Sequence, residues 1–347
     1  MRWIRRVIAA LAVTAVSGCY YLHSMRGQWD VMSRREPIAA VIADPSTPAD
    51  LRARLQTVLD LREFASRELK LPDNDSYRSY ADVGRPFVAW NVFAAPEFSL
   101  EPRQWCFPII GCVAYRGYFD EAKAERYAAK LRADSLDVYV GPVPAYSTLG
   151  YFADPVLNTM LSWDDVFVAA LLFHELAHQQ LYVKGDAAFS EAFASVVGDA
   201  GVRRWLAATG REELLAEFEA AQAREAEFAA LVERGRERFE ELYASGLAPG
   251  EMRAAKAREF GRMLAGYRRL VESWDGFDAY GPWFDGGLDN AKMVSVATYN
   301  ELAPGFRALL GQCGRDLPCF YARAGEIGAL PLEERHEQLR ALSDAAG

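Results

Sequence analysis

The stretch Leu171-Leu172-Phe173-His174-Glu175-Leu176-Ala177-His178-Gln179-Gln180 decides how this chain is read. It contains His-Glu-x-x-His. Residues four apart lie on one face of a helix, so two imidazoles at this spacing can converge on one ion. Glu175 lies about 100° round the helix, close enough to reach a water on that ion. The run Val166 to Phe173 is apolar, and Leu181 and Val183 follow it. This predicts a buried helix that opens at Ser162-Trp163-Asp164-Asp165 and ends near Lys184, before Gly185. Two imidazoles and a carboxylate on a buried helix are costly without a partner, and a metal ion supplies one. The chain has four histidines: His23, His174, His178 and His336. His23 reads as part of a linker. His336, in Glu333-Glu334-Arg335-His336-Glu337, reads as a solvated helix face.

Catalytic zinc takes three protein ligands and leaves a fourth position open. The favoured third ligand is Glu191, in Phe189-Ser190-Glu191-Ala192-Phe193-Ala194-Ser195. It stands early in a second predicted helix, about Ala188 to Thr209. A loop around Lys184-Gly185-Asp186 would fold that helix back on the first. Asp186 and Asp199 are the alternative ligands. Ser195 and Asp199, one and two turns along, are candidate hydrogen-bond partners around Glu191. One zinc per chain, held by His174, His178 and Glu191 with Glu175 as the base, resembles the gluzincin class of zinc metallopeptidases.

The 347 residues suffice for a sizeable core, and 51% apolar with 25% charged is ordinary for a soluble globular chain. A net charge of −9 argues against non-specific binding to nucleic acid, which runs on clustered basic charge. The N-terminus has a pattern of its own. Arg2, Arg5 and Arg6 precede an uncharged apolar run, Val7 to Val16, that is too short to span a bilayer. Val16-Ser17-Gly18-Cys19 resembles a bacterial lipobox, so residues 1–18 are expected to be a signal peptide and Cys19 the lipidated residue. Membrane attachment through Cys19 implies an exported envelope lipoprotein. Tyr20 carries no acidic retention signal, which points to the outer membrane, facing the periplasm.

Cys106 with Cys112 and Cys313 with Cys319 form two close pairs. Four cysteines allow three connectivities, and local pairing within each is the simplest. Export permits such bonds. The competing four-thiolate zinc site lacks the short gaps of common zinc knuckles.

Elsewhere, Tyr20 to Gln28 reads as a short spacer. Thr47 reads as the N-cap of a helix whose first turn holds Pro48 and which ends before Pro72. Phe87 to Phe93 reads as a strand, and Phe107 to Tyr118 as loop with strand character. Asp120 caps a helix to about Arg132. Asp137 to Val140 reads as a short strand broken by Gly141-Pro142-Val143-Pro144. Tyr146 to Asp154 reads as an edge strand and turn. Glu212 to Tyr243 and Glu251 to Trp274 are charged helices forming a hairpin with a solvated face. The expected fold is α+β, mainly helical with a small sheet: one domain over 19–347, with the hairpin at about 212–275 as an insertion.

Several stretches together are narrower than the zinc motif. SGCYYL at the start, GCVAYRGYF at 111–119, YSTLGYFADP at 146–155, HELAHQ at 174–179, SEAFAS at 190–195, and Asn290-Ala291 with Tyr299 resemble the bacterial putative aminopeptidase family of lipoproteins. The resemblance implies a zincin-like metallopeptidase core and a zinc-dependent aminopeptidase acting on peptides. Zinc would activate a water and polarise the scissile carbonyl, while Glu175 moves the proton to the leaving amine. Tyr299 is the candidate oxyanion donor, with Tyr146 and Tyr151 behind it. Asp154 is a candidate for holding the substrate's α-amine, and the 146–154 edge for pairing with the peptide main chain. A zinc endopeptidase and a non-enzymatic envelope lipoprotein with a structural zinc stay open. No protein partner can be inferred.

Overall fold

A computed structural model describes residues 20, 23–107, 111–145, 147–296 and 302–345, and the backbone of residue 297. Cys19, Tyr146 and Tyr299, and the signal segment, lie outside the described residues.

The chain opens with helix α1 (residues 23–33), where the sequence suggested a spacer. Gly27 makes this possible: a Cβ there would lie 2.2 Å from the Phe119 ring, so the helix packs with its backbone against that side chain. β1 (Glu36–Pro37) and α2 (Ile38–Ala43) lead to α3 (Ala49–Arg67). Thr47 does not cap α3. Its hydroxyl donates to Val41 O, and Pro48 takes the N-cap position instead.

β2 (Ser79–Ala81) pairs antiparallel with β1 and parallel with β8 (Val156–Leu157). The larger strands follow as β3 (Ala89–Pro96), β4 (Trp105–Phe107), β5 (Gly111–Val113), β6 (Tyr115–Tyr118) and, after α4 (Glu121–Ala133), β7 (Leu136–Val143). β6, β3 and β7 form an antiparallel sheet with β3 central. β7 does not break at Gly141-Pro142. Pro142 pairs with Trp90, which an edge strand tolerates because the missing amide can face outward. Asp120 caps α4 by accepting from Lys123 N. β4 and β5 form a hairpin closed by the Cys106–Cys112 disulfide.

Helices make up most of the rest: α5 (Asp165–Gln180), α6 (Ala187–Ala208), α7 (Glu212–Ala244), α8 (Pro249–Ser273), α9 (Gly281–Phe284), α10 (Asn290–Ala297), α11 (Ala303–Gln312), α12 (Leu317–Gly328) and α13 (Leu332–Asp344). α5 stops at Gln180, short of Lys184, where Leu181 turns extended. The Cys313–Cys319 disulfide ties the end of α11 to the start of α12. The architecture is mainly helical α+β with small sheets.

The main core gathers α3, α5, α6, α11 and α12 around Phe173, Phe189, Phe193, Phe306 and Phe320, all fully buried. The sheet and α4 share a second cluster around Trp90, Val92 and Leu131. The α7–α8 hairpin shares a third, around Phe228, Phe239 and Met263, with Leu100 and with Met293 of α10. No described helix is long and apolar enough to cross a membrane.

Candidate metal centre

α5 is fixed at its start by Asp164, whose side chain accepts from Phe167 N. Val168, Ala169, Leu172, Phe173, Leu176 and Ala177 are its buried side. α6 starts at Asp186, which accepts from Phe189 N, while Ser190 Oγ donates to Asp186 O and accepts from Val183 N. These bonds close the turn that brings α6 back along α5. The two helices can then meet closely because α6 presents glycines. A Cβ on Gly198 would stand 3.1 Å from Ala170 O and 3.5 Å from His174 Cβ; on Gly201, 2.6 Å from the Phe173 ring.

This approach sets Glu191 opposite the two histidines. Glu191 Oε2 is 3.2 Å from His174 Nε2 and 3.6 Å from His178 Nε2, and the two Nε2 atoms are 3.1 Å apart. The rings stand edge to face, their planes at 88°. Zinc binds imidazole nitrogen at about 2.0–2.1 Å and carboxylate oxygen at about 2.0–2.2 Å, so ligand atoms of a tetrahedral site stand about 3.3–3.5 Å apart. The three observed separations bracket that value, and one point lies about 2.1 Å from all three atoms. The donor set, two nitrogens and one oxygen, is also that of a zinc site with a position to spare. His174, His178 and Glu191 can therefore hold a metal ion.

The electrostatics fit the same use. Burial alone would raise the Glu191 carboxyl, but the adjacent imidazoles of His174 and His178 outweigh it and hold the group down at about 2, so it is anionic. Glu175 keeps some solvent contact as a residue, yet its carboxyl is buried. Burial pushes it up to about 7; His174 opposes this, while Glu191 and Asp154 add to it.

Other expected residues are placed differently. Asp186 is 4% exposed and engaged by Arg335 at 3.1 Å and His336 at 2.8 Å. It anchors α13 rather than a metal, and His336 is a partner of Asp186, not a solvated residue. His23 is no linker residue: it lies in α1, with Nδ1 2.9 Å from Lys123 Nζ. Asp199 stays out of the donor group, and burial pushes its carboxyl up to about 6, against Arg203 and Arg307. Neither Ser195 nor Asp199 bonds to Glu191 among the described residues. The segment around Tyr151 is a turn, not an edge strand. Asp154 is 2% exposed, and its oxygens accept from Thr148 N, Thr148 Oγ1 and Ser147 Oγ, which bend the loop.

Three tyrosines that sequence reasoning left without this role lie close to the site. Tyr115, on β6, is held up at about 12 by burial and then by Glu191, Tyr182 and Glu175 nearby. The Tyr182 ring lies 6.1 Å from that of His178, and its phenol is raised by burial, Glu191 and Tyr151. Tyr77 is fully buried with φ of 62°, a left-handed conformation unusual for a tyrosine. Its amide donates to Asp154 O at 2.6 Å, and burial followed by Glu175 and Asp154 raises its hydroxyl well above normal. Tyr115 lies inside GCVAYRGYF, one of the stretches that carried the family resemblance, which was the available signal.

Fold and site together define a mainly helical α+β protein with a His-His-Glu group on adjoining helices, able to hold a metal beside a buried carboxyl. The chain belongs to the family described as "Putative aminopeptidase", whose model matches residues 19–339. No curated protein and no solved structure matches it.

Proposed function

We propose that this protein is a zinc-dependent aminopeptidase, exported and lipid-anchored at Cys19 after removal of residues 1–18. The observation that carries the reading is the tetrahedral spacing of His174 Nε2, His178 Nε2 and Glu191 Oε2, with the Glu175 carboxyl beside them. Membership of the aminopeptidase family supports peptides as the substrate class. Cys106–Cys112 and Cys313–Cys319 support an oxidising compartment, as expected of an envelope protein facing the periplasm. We read residues 19–347 as one domain with a zincin-like core built on α5 and α6. We read the α7–α8 hairpin, which packs on Leu100 and Met293 through a cluster distinct from the main core, as an insertion in it.

Zinc, when bound, would lower the pKa of a water and polarise the substrate carbonyl. The chain's own residues do the rest. His174, His178 and Glu191 would hold the ion. Glu175 accepts a proton from the attacking water at its carboxylate and delivers it to the departing amine nitrogen. A base with its pKa near the working pH suits both transfers. Tyr115 joins Tyr299 as a candidate oxyanion donor, because its phenol stays protonated and lies within electrostatic reach of Glu191 and Glu175.

The test is metal analysis of the purified mature chain, with hydrolysis of a free-amine tetrapeptide and its N-acetylated twin, before and after chelation. We expect about one zinc per chain, by the three-ligand stoichiometry. Cleavage should stop on chelation, return with zinc, and require the free amine. Cleavage of both peptides alike would make the enzyme an endopeptidase. Hydrolysis indifferent to chelation would end the metallopeptidase reading.

A further inference from the structure

Tyr20 follows Cys19 directly and is docked in the fold. Its hydroxyl donates to Gly117 O at 3.1 Å, the Arg116 guanidinium lies 3.9 Å from its ring centre, and its ring meets Tyr118 edge-on at 5.6 Å. α1 follows, seated on Phe119 through Gly27. The anchor position is thus one peptide bond, about 3.8 Å between Cα atoms, from a residue fixed to the sheet. Acyl chains on Cys19 would hold the whole domain at the bilayer in a defined pose.

The side of α1 turned away from the protein is apolar at two positions one turn apart. Met25 is 67% and Trp29 75% exposed, with exposed Arg26 beside them. Met25 is six residues from Cys19, at most about 20 Å even along an extended chain. Two residues past the other end of α1, the Arg35 guanidinium donates to Ala153 O at 2.8 Å. This fastens α1 to the 147–154 loop, which carries exposed Tyr151 and Phe152 at 75% and 54%. Large aromatics with a wet polar edge, and an arginine that can extend toward headgroups, suit the bilayer interface.

We infer that Met25 and Trp29 of α1, with Tyr151 and Phe152 of the adjoining loop, form a face that rests in the interface of a lipid bilayer. The inference depends on the reading of Cys19 as the anchor, but not on peptidase activity. It has a consequence for the site. Gly150, in the same loop, packs against Gln179, the residue after His178, with a Cβ there 3.4 Å from that side chain. On this inference the loop links the bilayer face to the neighbourhood of the metal centre.

The test uses the mature full-length chain. With four cysteines in disulfides, Cys19 is the one left for coupling to a maleimide-bearing lipid in phosphatidylcholine vesicles. This attachment needs neither cellular lipidation nor activity, so failure of either of those readings is distinguishable from failure of this one. Tryptophan emission is compared in vesicles with and without brominated acyl chains. Trp29→Phe should lose most of the quenching, and adding Tyr151→Trp to that variant should restore it. Equal quenching of wild type and Trp29→Phe, or no return of quenching with Tyr151→Trp, would overturn the inference.

Discussion

The Nε2 atoms of His174 and His178 face each other 3.1 Å apart, and Glu191 Oε2 completes a triangle with them. Two neutral imidazoles cannot both direct lone pairs into so small a gap without a proton or a cation between them. The arrangement is held by packing: Gly198 lies against the His174 Cβ, and Ser190 and Asp186 fix the turn that delivers Glu191. Removing one corner should leave the helices in place and empty the site. His178→Ala and Glu191→Gln are expected to weaken zinc binding at least about 100-fold, beyond the 10–100-fold typical of residues that only support a ligand. Competition with a chromophoric chelator measures this. Unchanged affinity in either variant would remove that residue from the ligand set.

Glu175 differs from its neighbours because it is next to the donor triangle without being part of it. Glu175→Gln keeps the shape and the buried position and removes the basic oxygen. Zinc content should therefore stay at the wild-type level while turnover falls by roughly 10²–10⁴, the range for loss of a general base. Steady-state hydrolysis with parallel metal analysis reads both quantities. Appreciable turnover by the metal-loaded variant would assign the proton transfer elsewhere.

Tyr115 comes to the site from β6, well before the helix pair in sequence. Its phenol stays protonated throughout the neutral range because burial and the nearby carboxylates disfavour the phenolate. Tyr115→Phe keeps the ring and deletes the donor. The expected loss is about 10²–10³ in kcat, the scale of a missing oxyanion donor, with KM little changed. A rise in KM at constant kcat would instead make Tyr115 a residue that binds ground-state substrate.

The legible part of this protein was its local part. His174, Glu175 and His178 share one helix, so their spacing alone placed them together, and Glu191 was within reach because a short turn joins α5 to α6. Tyr115, Tyr182 and Tyr77 were not legible, since they come to the site from β6, from the end of α5 and from the loop after α3. Such meetings depend on tertiary packing, which periodicity does not encode. The failures have specific causes. The aromatic run 146–154 reads as an edge strand and turn, but Asp154 gathers Thr148 and Ser147 into a turn. Pro142 reads as a strand breaker, yet β7 is an edge where a missing amide is harmless. His336 looks solvated within its charged segment, and only the fold brings Asp186 to it.

Asp199 provides a prediction about stability that is separate from catalysis. It is largely buried on α6, its only ion pair among the described residues is a 3.9 Å contact with Arg307, and burial raises its pKa from 3.8 to about 6. The folded state thus binds a proton more tightly here than the unfolded chain does. Between about pH 4 and pH 6 the native protein carries more protons, so its stability falls as pH rises through that window and levels off above it. A shift of about two units corresponds to roughly 2–3 kcal/mol, as an order of magnitude. Asp199→Asn stays neutral in both states and removes this dependence. In urea titrations of the metal-free protein, wild type should lose on the order of 2 kcal/mol more than Asp199→Asn between pH 4 and pH 7.5. Comparing the two proteins at each pH cancels the other titrating groups. If the two stability profiles run parallel, Asp199 carries no raised pKa in the folded chain. If wild type loses less than the variant, Arg203 and Arg307 dominate over burial and the sign of the shift is reversed.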